Sequence, residues 1–574
     1  MAVFGAGGAT TSYEELENTD VIICWGSNTQ ECHPIIYNHM RRGVKNGAKM
    51  VVIDPRKIDQ TKKADKWLPI NVGTDIALAN GMANVIIEED LYNKTFVERA
   101  TENFEEFNEK VAGYTPEYVE GITGVPADDI REVARMYATA DKATLNWTLG
   151  ITEHHNGVDG VFALINLALL TGHVGKYGSG LNPLRGQNNV QGGGDMGALP
   201  DKMVGGWKCD DPEAHELFER VWGVPLPEKV GKNQAEMLDA MASGEIRAMY
   251  VIGENPCQSD PDENKTDKLF ENLDFLVVQD IFPTKTARTA DVVLPAAASW
   301  AETEGTVVNT ERRVQRIHKV VEPPGEARPD EWILQDVANR MGAGWSFETA
   351  EDIWDEVRAL APKFSGITYE RVEKYGGIQW PCLDSSFEEI SDITPKERLM
   401  ASTKGAENAE GGVMTKDVVE KPQVGTKFLH AQLWAEEVEN RAPFFPVDHE
   451  GPVEMPDGEY PFQLTTGRRL AFHNTGTTTQ DYKKVKDNEE LLEICKEDAG
   501  ALGIEDEDFV KVSSRRGTVP RVKARVTDRV RPGLLFLGYS FPDRVPTNVL
   551  TINAVDPGSG TAELKACAVK IETA

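Results

Sequence analysis

One pattern occurs twice in this chain, and it limits the possible fold more than any other feature. The first copy runs VIICWGSNTQECHP (21–34), then KMVVIDPRKIDQTKKADKWLPI (49–70). The second runs AMYVIGENPCQSDP (248–261), then FLVVQDIFPTKTARTADVVLPA (275–296). Each has an apolar run followed by Gly and Asn, then a second apolar run ending in Asp, a threonine, Ala-Asp and Leu-Pro. Gly26 to Asp54 spans 28 positions and Gly253 to Asp280 spans 27; Asp54 to Asp65 and Asp280 to Asp291 both span 11. Short continuous apolar runs separated by helical stretches mark buried parallel strands of α/β units. Residues 33–49 predict the first crossover helix and residues 263–274 the second.

The repeat also carries chemistry. Glycine at the carboxyl end of a strand lets a ligand approach the backbone, and ligands of such sheets sit outside those carboxyl ends. Asp54, ending the second strand, stands where an acid binds a ribose hydroxyl or a base amino group. Two plain α/β units would not need this matched register. Two nucleotide-like sites would, and a cofactor with two similar nucleotide halves accounts for the duplication. Asp65 and Asp291, before Leu-Pro, are either helix or strand terminators or further ligand contacts.

At 574 residues the chain is too long for one core, and about three or four domains are expected. The charge excludes one partner class. With 93 acidic against 61 basic residues, a net −32, no basic surplus exists to displace phosphate counterions, so nucleic acid is not expected. The seven cysteines form no CxxC pair and no cluster, which fits neither zinc nor iron–sulfur binding within these residues and points to a cytoplasmic chain with reduced thiols. The N-terminus lacks the basic and apolar regions of a secretory signal. The longest apolar run, GVFALINLALLTG (160–172), is too short to span a bilayer and reads as a buried helix. GAGGAT (5–10) follows no strand and reads as a flexible turn. Residues 329–400 read as helical, 401–425 as a polar linker or long loop, and 455–574 as alternating strands of a separate β-barrel.

The stretch LNPLRGQNNVQGGGDMG (181–197) is the least ordinary in composition: one cation, Arg185, lies among glycines and amides. A bare loop does not need Gln187, Asn188, Asn189 and Gln191 in near succession; a loop wrapped around a polar ligand does. The competing role for Arg185 is to cap a helix or pair with Asp195. Nearby, Glu153 is either a cofactor contact or part of a solvated turn. His154 and His155, being adjacent, should point apart, so that at most one meets a ligand.

At this point a family resemblance emerges. NTDVIICWGSNTQECHP, DPRKIDQTKKAD, NPLRGQNNVQGGGDMGALP, VVQDIFPTKTARTADVVLP, TEGTVVNTERRVQR, LTTGRRLAFHNTGT and NVLTINAVDPGSGTAELK run in order over nearly the whole chain. Together they resemble the catalytic subunit of formate dehydrogenases, within the bis-molybdopterin guanine dinucleotide oxidoreductases of molybdenum or tungsten. The resemblance implies an α/β fold with two Rossmann-like dinucleotide-binding domains, 1–187 and 188–400 with a helical extension, and a C-terminal barrel of double-psi type, 401–574. It implies that Gly26, Asn28, Asp54 and Arg56 line one guanine dinucleotide, with Gln187 in the loop beside the cofactor. Gly253, Glu254, Gln279, Asp280 and Thr284 would line the other. Thr466, Gly467, Arg468, Asn548 and Lys565 would close the barrel over the pterins. Arg185 would hold formate, its planar donor fork matching a carboxylate. Where family members often carry a His-aromatic-His pattern, this chain has Phe472, His473 and Asn474, so a histidine contact to the phosphates is not carried over.

The family's subunit normally begins with a cysteine cluster for a [4Fe–4S] centre, then a cysteine or selenocysteine that ligates the metal, then a histidine. The resemblance places all of these upstream of Met1, either cut off at a selenocysteine codon or carried by a second polypeptide. The expected partners are formate or a similar small anion and an iron–sulfur electron-transfer subunit, with no direct membrane span. The expected reaction is oxidation of formate to carbon dioxide. The alternatives are an oxidoreductase of nitrate or another small oxyanion, and a non-catalytic cofactor-binding subunit.

Overall fold

In the computed structural model, which describes residues 2–383, 425–479, 482 and 488–574, the first copy of the repeat forms three strands of a five-stranded parallel sheet. Strands β1 (Val21–Trp25), β2 (Lys49–Ile53) and β3 (Lys66–Leu68) are joined by β4 (Ala143–Trp147) and β5 (Gly180–Pro183) in the order β3-β2-β1-β4-β5. Proline opens the crossover helix Pro34–Lys45, where its missing N–H is no loss. All of β1 is buried because both faces are covered. Ile22, Cys24, Met50 and Val52 pack against Ile36, Tyr37 and Met40 of that helix. Ile23, Trp25, Val51 and Ile53 pack against helices Asp75–Glu88 and Gly157–Thr171. The apolar run 160–172 falls in the second of these, which ends at Gly172 with φ 71°.

The second copy forms a three-stranded parallel sheet, β6 (Ala248–Ile252), β7 (Phe275–Asp280) and β8 (Val292–Pro295), with crossover helix Glu263–Glu271. The duplication extends to single hydrogen bonds. Gly26 N donates to Ile53 O and Gly253 N to Gln279 O, both at 2.8 Å. Asp54 Oδ1 accepts from Arg56 N at 2.9 Å and Asp280 Oδ1 from Phe282 N at 3.0 Å. Asp65 Oδ2 accepts from Met50 N at 2.9 Å and Asp291 Oδ2 from Leu276 N at 2.7 Å. Asp65 and Asp291 each tie the start of one strand to the start of the next.

Beyond β8, strands Gly305–Val308, Arg313–Ile317 and Ile378–Gln379 form a small antiparallel sheet, packed against helices Ala350–Leu360 and Tyr369–Tyr375, with helix Asp330–Arg340 before them in sequence. The expected helical stretch is met as far as Tyr375; residues 384–400, and the polar stretch from 401 to 424, lie outside the described residues. The fully buried Arg312 is the tie of this region. Its guanidinium donates to Ala9 O (2.7 Å), Thr426 O (3.0 Å), Lys427 O (2.8 Å) and Trp380 O. Arg312→Met should leave these carbonyls without donors and cost about 3 kcal/mol. The check is limited proteolysis, in which the segment around Ala9 should become the first site cut.

The C-terminal region closes into a six-stranded barrel: β9 (Phe462–Gly467), β10 (Leu491–Ile494), β11 (Phe509–Ser513), β12 (Thr518–Val526), β13 (Leu534–Gly538) and β14 (Cys567–Thr573), ordered β9-β13-β10-β12-β11-β14. Pairs β9/β13 and β10/β12 are parallel and the others antiparallel. Leu464, Leu492, Val512, Leu535 and Val569 fill the interior. Leu433, Phe444 and Val447, between helix Tyr369–Tyr375 and the barrel in sequence, belong instead to the core of the first sheet. Among the described residues no helix is long and apolar enough to cross a membrane.

Candidate functional site

The carboxyl ends of β1, β2 and β4 face the barrel across a cleft of about 740 Å³, its open mouth included. Gly26, Asn28, Asp54, Arg56 and Thr148 line it from the sheet; Thr465, Thr466, Gly467, Arg468, Phe536 and Lys565 line it from the barrel. Eight of the expected cofactor residues are thus brought together: Gly26, Asn28, Asp54, Arg56, Thr466, Gly467, Arg468 and Lys565.

The floor is backbone. Gly26 has φ +55°, and a Cβ there would meet Gly150 C at 2.8 Å; a Cβ on Gly150 would meet Gly26 Cα at 2.6 Å. The two backbone segments cross with no side chain between them, so a ligand can lie close to main-chain polar groups. Gly26 O is already taken, by Thr148 Oγ1 at 2.7 Å and Gly150 N at 3.2 Å.

The walls differ in charge. On the barrel side Arg468 donates to Asn474 Oδ1 at 2.8 Å, and Lys565 Nζ lies 2.8 Å from Glu153 Oε2 and 3.2 Å from Thr466 O. Glu153 is therefore buried and paired, not part of a solvated turn. On the sheet side Asp54 is half-buried, and desolvation pushes its carboxyl up to about 6 against the pull of Arg56. Asn28 Oδ1 is a buried acceptor with no hydrogen-bond partner among the described residues. Tyr539, whose ring lies 5.2 Å from the Arg468 guanidinium, has a hydroxyl in the same condition. Orphaned buried polar atoms are rare in folded chains and mark places where a ligand completes the bonding. Cations and bare backbone suit phosphates; a carboxylate and an amide oxygen suit the N–H and O–H groups of a base and sugar. The residues present fit a phosphate-bearing nucleotide cofactor.

Arg56 is engaged in another way. It is buried, and its guanidinium makes two 2.7 Å bonds to the Glu493 carboxylate of β10 and lies over Phe536. It joins sheet to barrel while lining the cleft. His154 lines the cleft too, but both rings of the His154–His155 pair reach Glu563 Oε1, at 3.4 and 3.2 Å, so they converge on one carboxylate and do not point apart.

The second set of expected residues lies at the carboxyl ends of β6 and β7. Gly253 has φ +64° with open space where a Cβ would go. Gln279 is buried, accepting from Tyr250 Oη and donating to Asp330 Oδ1, both at 2.5 Å. Thr284 caps helix Lys285–Thr289 through Ala287 N. Burial raises the carboxyls of Glu254 and Asp280, each strengthened by a neighbouring acid. Asn548 spans from the barrel to this unit, donating to Gln258 O and Ser259 O at 3.0 Å.

Arg185 lies in the loop after β5. Its Nε donates to Gln191 Oε1 (3.1 Å) and its Nη2 to Gly7 O (3.3 Å), while Gln191 Nε2 donates to the same carbonyl (3.1 Å). Asp195 bonds Lys363 at 2.7 Å, so it does not neutralise Arg185 directly. The glycine-rich N-terminal segment, expected as a flexible turn, is a wall of this site. Gln187 is exposed on the same loop, and Asn189 serves the backbone, accepting from Val308 N at 2.9 Å.

Two residues were not singled out from the sequence. Cys32 lines the cleft, and His33 beside it bonds Arg185 O through Nε2 at 2.9 Å. Burial lowers the His33 imidazole to about 4, so the ring is neutral at pH 7, with the proton on Nε2 where it faces a carbonyl. Thus His33 ties the cleft to the Arg185 loop. The run ECHP offered no periodicity to show this; only the long-range contact does.

Comparison with known proteins adds the following. The family model described as Molybdopterin oxidoreductase matches residues 4–340, and that described as Molydopterin dinucleotide binding domain matches residues 462–568. The chain is 44% identical over 575 residues to the F420-dependent formate dehydrogenase subunit alpha of Methanocaldococcus jannaschii, covering 100% of this chain and 79% of that one. It is 40% identical over 572 residues to formate dehydrogenase H of Escherichia coli, covering 99% and 75%. Among solved structures, acetylene hydratase from Pelobacter acetylenicus superposes with a TM-score of 0.71 at 20% identity, over 99% of this chain and 79% of that one, a likeness of fold alone.

Proposed function

The chain belongs to the molybdopterin oxidoreductase family, and from that premise we propose that it is the alpha-type subunit of a formate dehydrogenase. The observation that carries the proposal is the match to formate dehydrogenases along the whole of this chain.

In this reading the cofactor is bis-molybdopterin guanine dinucleotide with molybdenum or tungsten. Gly26, Asn28, Asp54, Arg468 and Lys565 hold one dinucleotide, and Gly253, Glu254, Gln279, Asp280 and Thr284 hold the other. Thr466, Gly467 and Asn548 contribute from the barrel, and Arg56 keeps the two walls together. The five-stranded order β3-β2-β1-β4-β5 supports a Rossmann-like assignment for the first unit. When bound, the cofactor supplies a two-electron acceptor. The chain's own residues do the rest. Arg185 receives the formate carboxylate on its donor fork, and Gln191 and Gly7 O hold that fork in place. Formate loses one proton and two electrons and leaves as carbon dioxide. An iron–sulfur centre carried outside these residues, in a cytoplasmic assembly with other subunits, would take the electrons onward.

The test is formate-dependent reduction of a viologen dye by the cofactor-loaded assembly. Reduction with formate and none of nitrate supports the reading. Nitrate reduction by reduced viologen without formate oxidation overturns it, and so does cofactor retention with neither activity.

A smaller measurement addresses the cleft alone. Ionised, Asp54 accepts N–H or O–H donors on both oxygens and more strongly than when protonated, so affinity for GDP should rise as pH rises through about 6, and Asp54→Asn should flatten that dependence. Stability of the ligand-free chain should run the other way. The Asp54 carboxyl is raised in the folded state, so its contribution is full below its ordinary value of 3.8 and is lost as pH rises through about 6. Isothermal titration and thermal melts over this range check both signs.

A further inference from the structure

Arg185 has an acid within reach that it does not bond. Asp195 is buried, and its charge acts on the Arg185 guanidinium, opposing the effect of that group's own burial. Buried charges ordinarily pair, and an arginine paired with an aspartate has little charge left for a ligand. Here the aspartate is engaged elsewhere. Its Oδ1 accepts from Lys363 Nζ at 2.7 Å, and the two side chains are 6% and 16% exposed.

Lys363 comes from a single turn, Pro362–Phe364, that follows helix Ala350–Leu360. Its Nζ lies 4.4 Å from the centre of the Trp380 ring and 5.0 Å from that of Phe364, both buried. Aromatic faces hold a cation most firmly where water is excluded. Arg312 also feels the charge of Asp195, but its guanidinium is committed to four backbone carbonyls.

The link from lysine to arginine passes through Gln191, one turn before Asp195 on helix Val190–Asp195. Gln191 Nε2 donates to Asp195 Oδ1 at 3.4 Å, and its Oε1 accepts from Arg185 Nε at 3.1 Å. An ionised carboxylate only accepts, so Asp195 fixes which end of the amide faces the arginine. Asp195 Oδ2 is a buried acceptor with no hydrogen-bond partner among the described residues. With Lys363 removed, the charge of Asp195 falls on Arg185, because Arg312 is committed.

We propose that Lys363 is a positioning residue of the Arg185 site: by engaging Asp195 it leaves Arg185 an uncompensated charge for a small monovalent anion. This rests on the reading that Arg185 holds the substrate, and it names what sets the affinity there.

The test reads affinity in two ways. One is protection of Arg185 in the full chain from phenylglyoxal, followed by peptide mass spectrometry, with formate or nitrate as the protecting anion. The other is KM in the cofactor-loaded assembly. Lys363→Met should raise the half-protecting concentration and KM together by about tenfold, with kcat little changed. Lys363→Arg should keep the affinity of the wild type. Asp195→Asn should bind the anion at least as tightly, since the amide oxygen still accepts from Lys363 and Gln191 but carries no charge. The double variant Lys363→Met with Asp195→Asn should return to within about threefold of the wild type. That recovery separates charge from folding, because a lysine needed only to pack the loop leaves the double variant as weak as the single one. Unchanged affinity in Lys363→Met overturns the proposal. So does a double variant as weak as Lys363→Met, and so does weaker binding in Asp195→Asn alone, which decides the matter if Lys363→Met does not fold. Protection by nitrate and not by formate removes formate as the substrate, and the same variants then test the proposal with nitrate. Protection by neither anion in the wild type overturns both.

Discussion

Replacing Arg56 by methionine is expected to destabilise the join between sheet and barrel by about 3–5 kcal/mol, the loss typical when one partner of a buried ion pair is removed. Arg56 and Glu493 have side chains 4% and 1% exposed, and two hydrogen bonds hold them together. Burial alone would raise the Glu493 carboxyl, but Arg56, then Arg469, hold it below the ordinary glutamate value. A lowered carboxyl contributes stability above its unfolded value and loses it as pH falls through the folded one, so the join should weaken on acidification. The variant leaves Glu493 with Arg469 alone, at 3.3 Å. The pair Arg56→Met with Glu493→Met should recover much of the loss, because no uncompensated charge then stays buried. In a chain of several units a single unfolding free energy is not defined, so the measurement is the first thermal transition, assigned to the barrel by proteolysis. Equal midpoints for wild type and Arg56→Met would show that the barrel is held by its apolar contacts.

The second large effect is expected at Arg185. In the cofactor-loaded enzyme, Arg185→Lys should raise KM for formate and lower kcat, by about tenfold or more in kcat/KM. Each charge-assisted bond of this kind contributes about 1.5–3 kcal/mol, and lysine keeps the charge but loses the planar fork. The split between the two constants is informative. A rise in KM alone would mean that Arg185 only gathers the anion; a fall in kcat as well would mean that it sets the orientation in which the C–H bond is broken. Gln191→Leu removes the acceptor that fixes Arg185 Nε and should move kcat more than KM. Steady-state kinetics with formate check both, and unchanged constants in Arg185→Lys would withdraw the residue from the substrate site.

These outcomes bear on how far the residues announced themselves. The two sheets were readable because parallel buried strands appear as unbroken apolar runs, and because Asp54 with Asp65, and Asp280 with Asp291, repeat at one spacing. The barrel was readable from alternation, but its strand order was not: β9 pairs in parallel with β13, about seventy positions on, and nothing local encodes that. In the same way Arg56 reads as a ligand contact until Glu493 is found beside it, 437 positions away. Gly7, an unremarkable glycine in sequence, supplies the carbonyl that meets Arg185 and Gln191. The runs in β6 and β7 read as strands buried on both sides, yet Tyr250, Ile252 and Phe275 are exposed; composition records that a residue is apolar and not whether a layer covers it.

The matched hydrogen bonds of the two copies give the molecule an internal control. Asp65 and Asp291 make the same bond to the same position of their strands, so asparagine at either should disturb folding alike, and any difference measures local context alone. Gly26 and Gly253 also share a backbone bond, yet a methyl group on the first would collide with Gly150 and one on the second would meet open space. Alanine at the two positions therefore separates what the α/β unit requires from what its surroundings require, within one polypeptide and under one set of conditions.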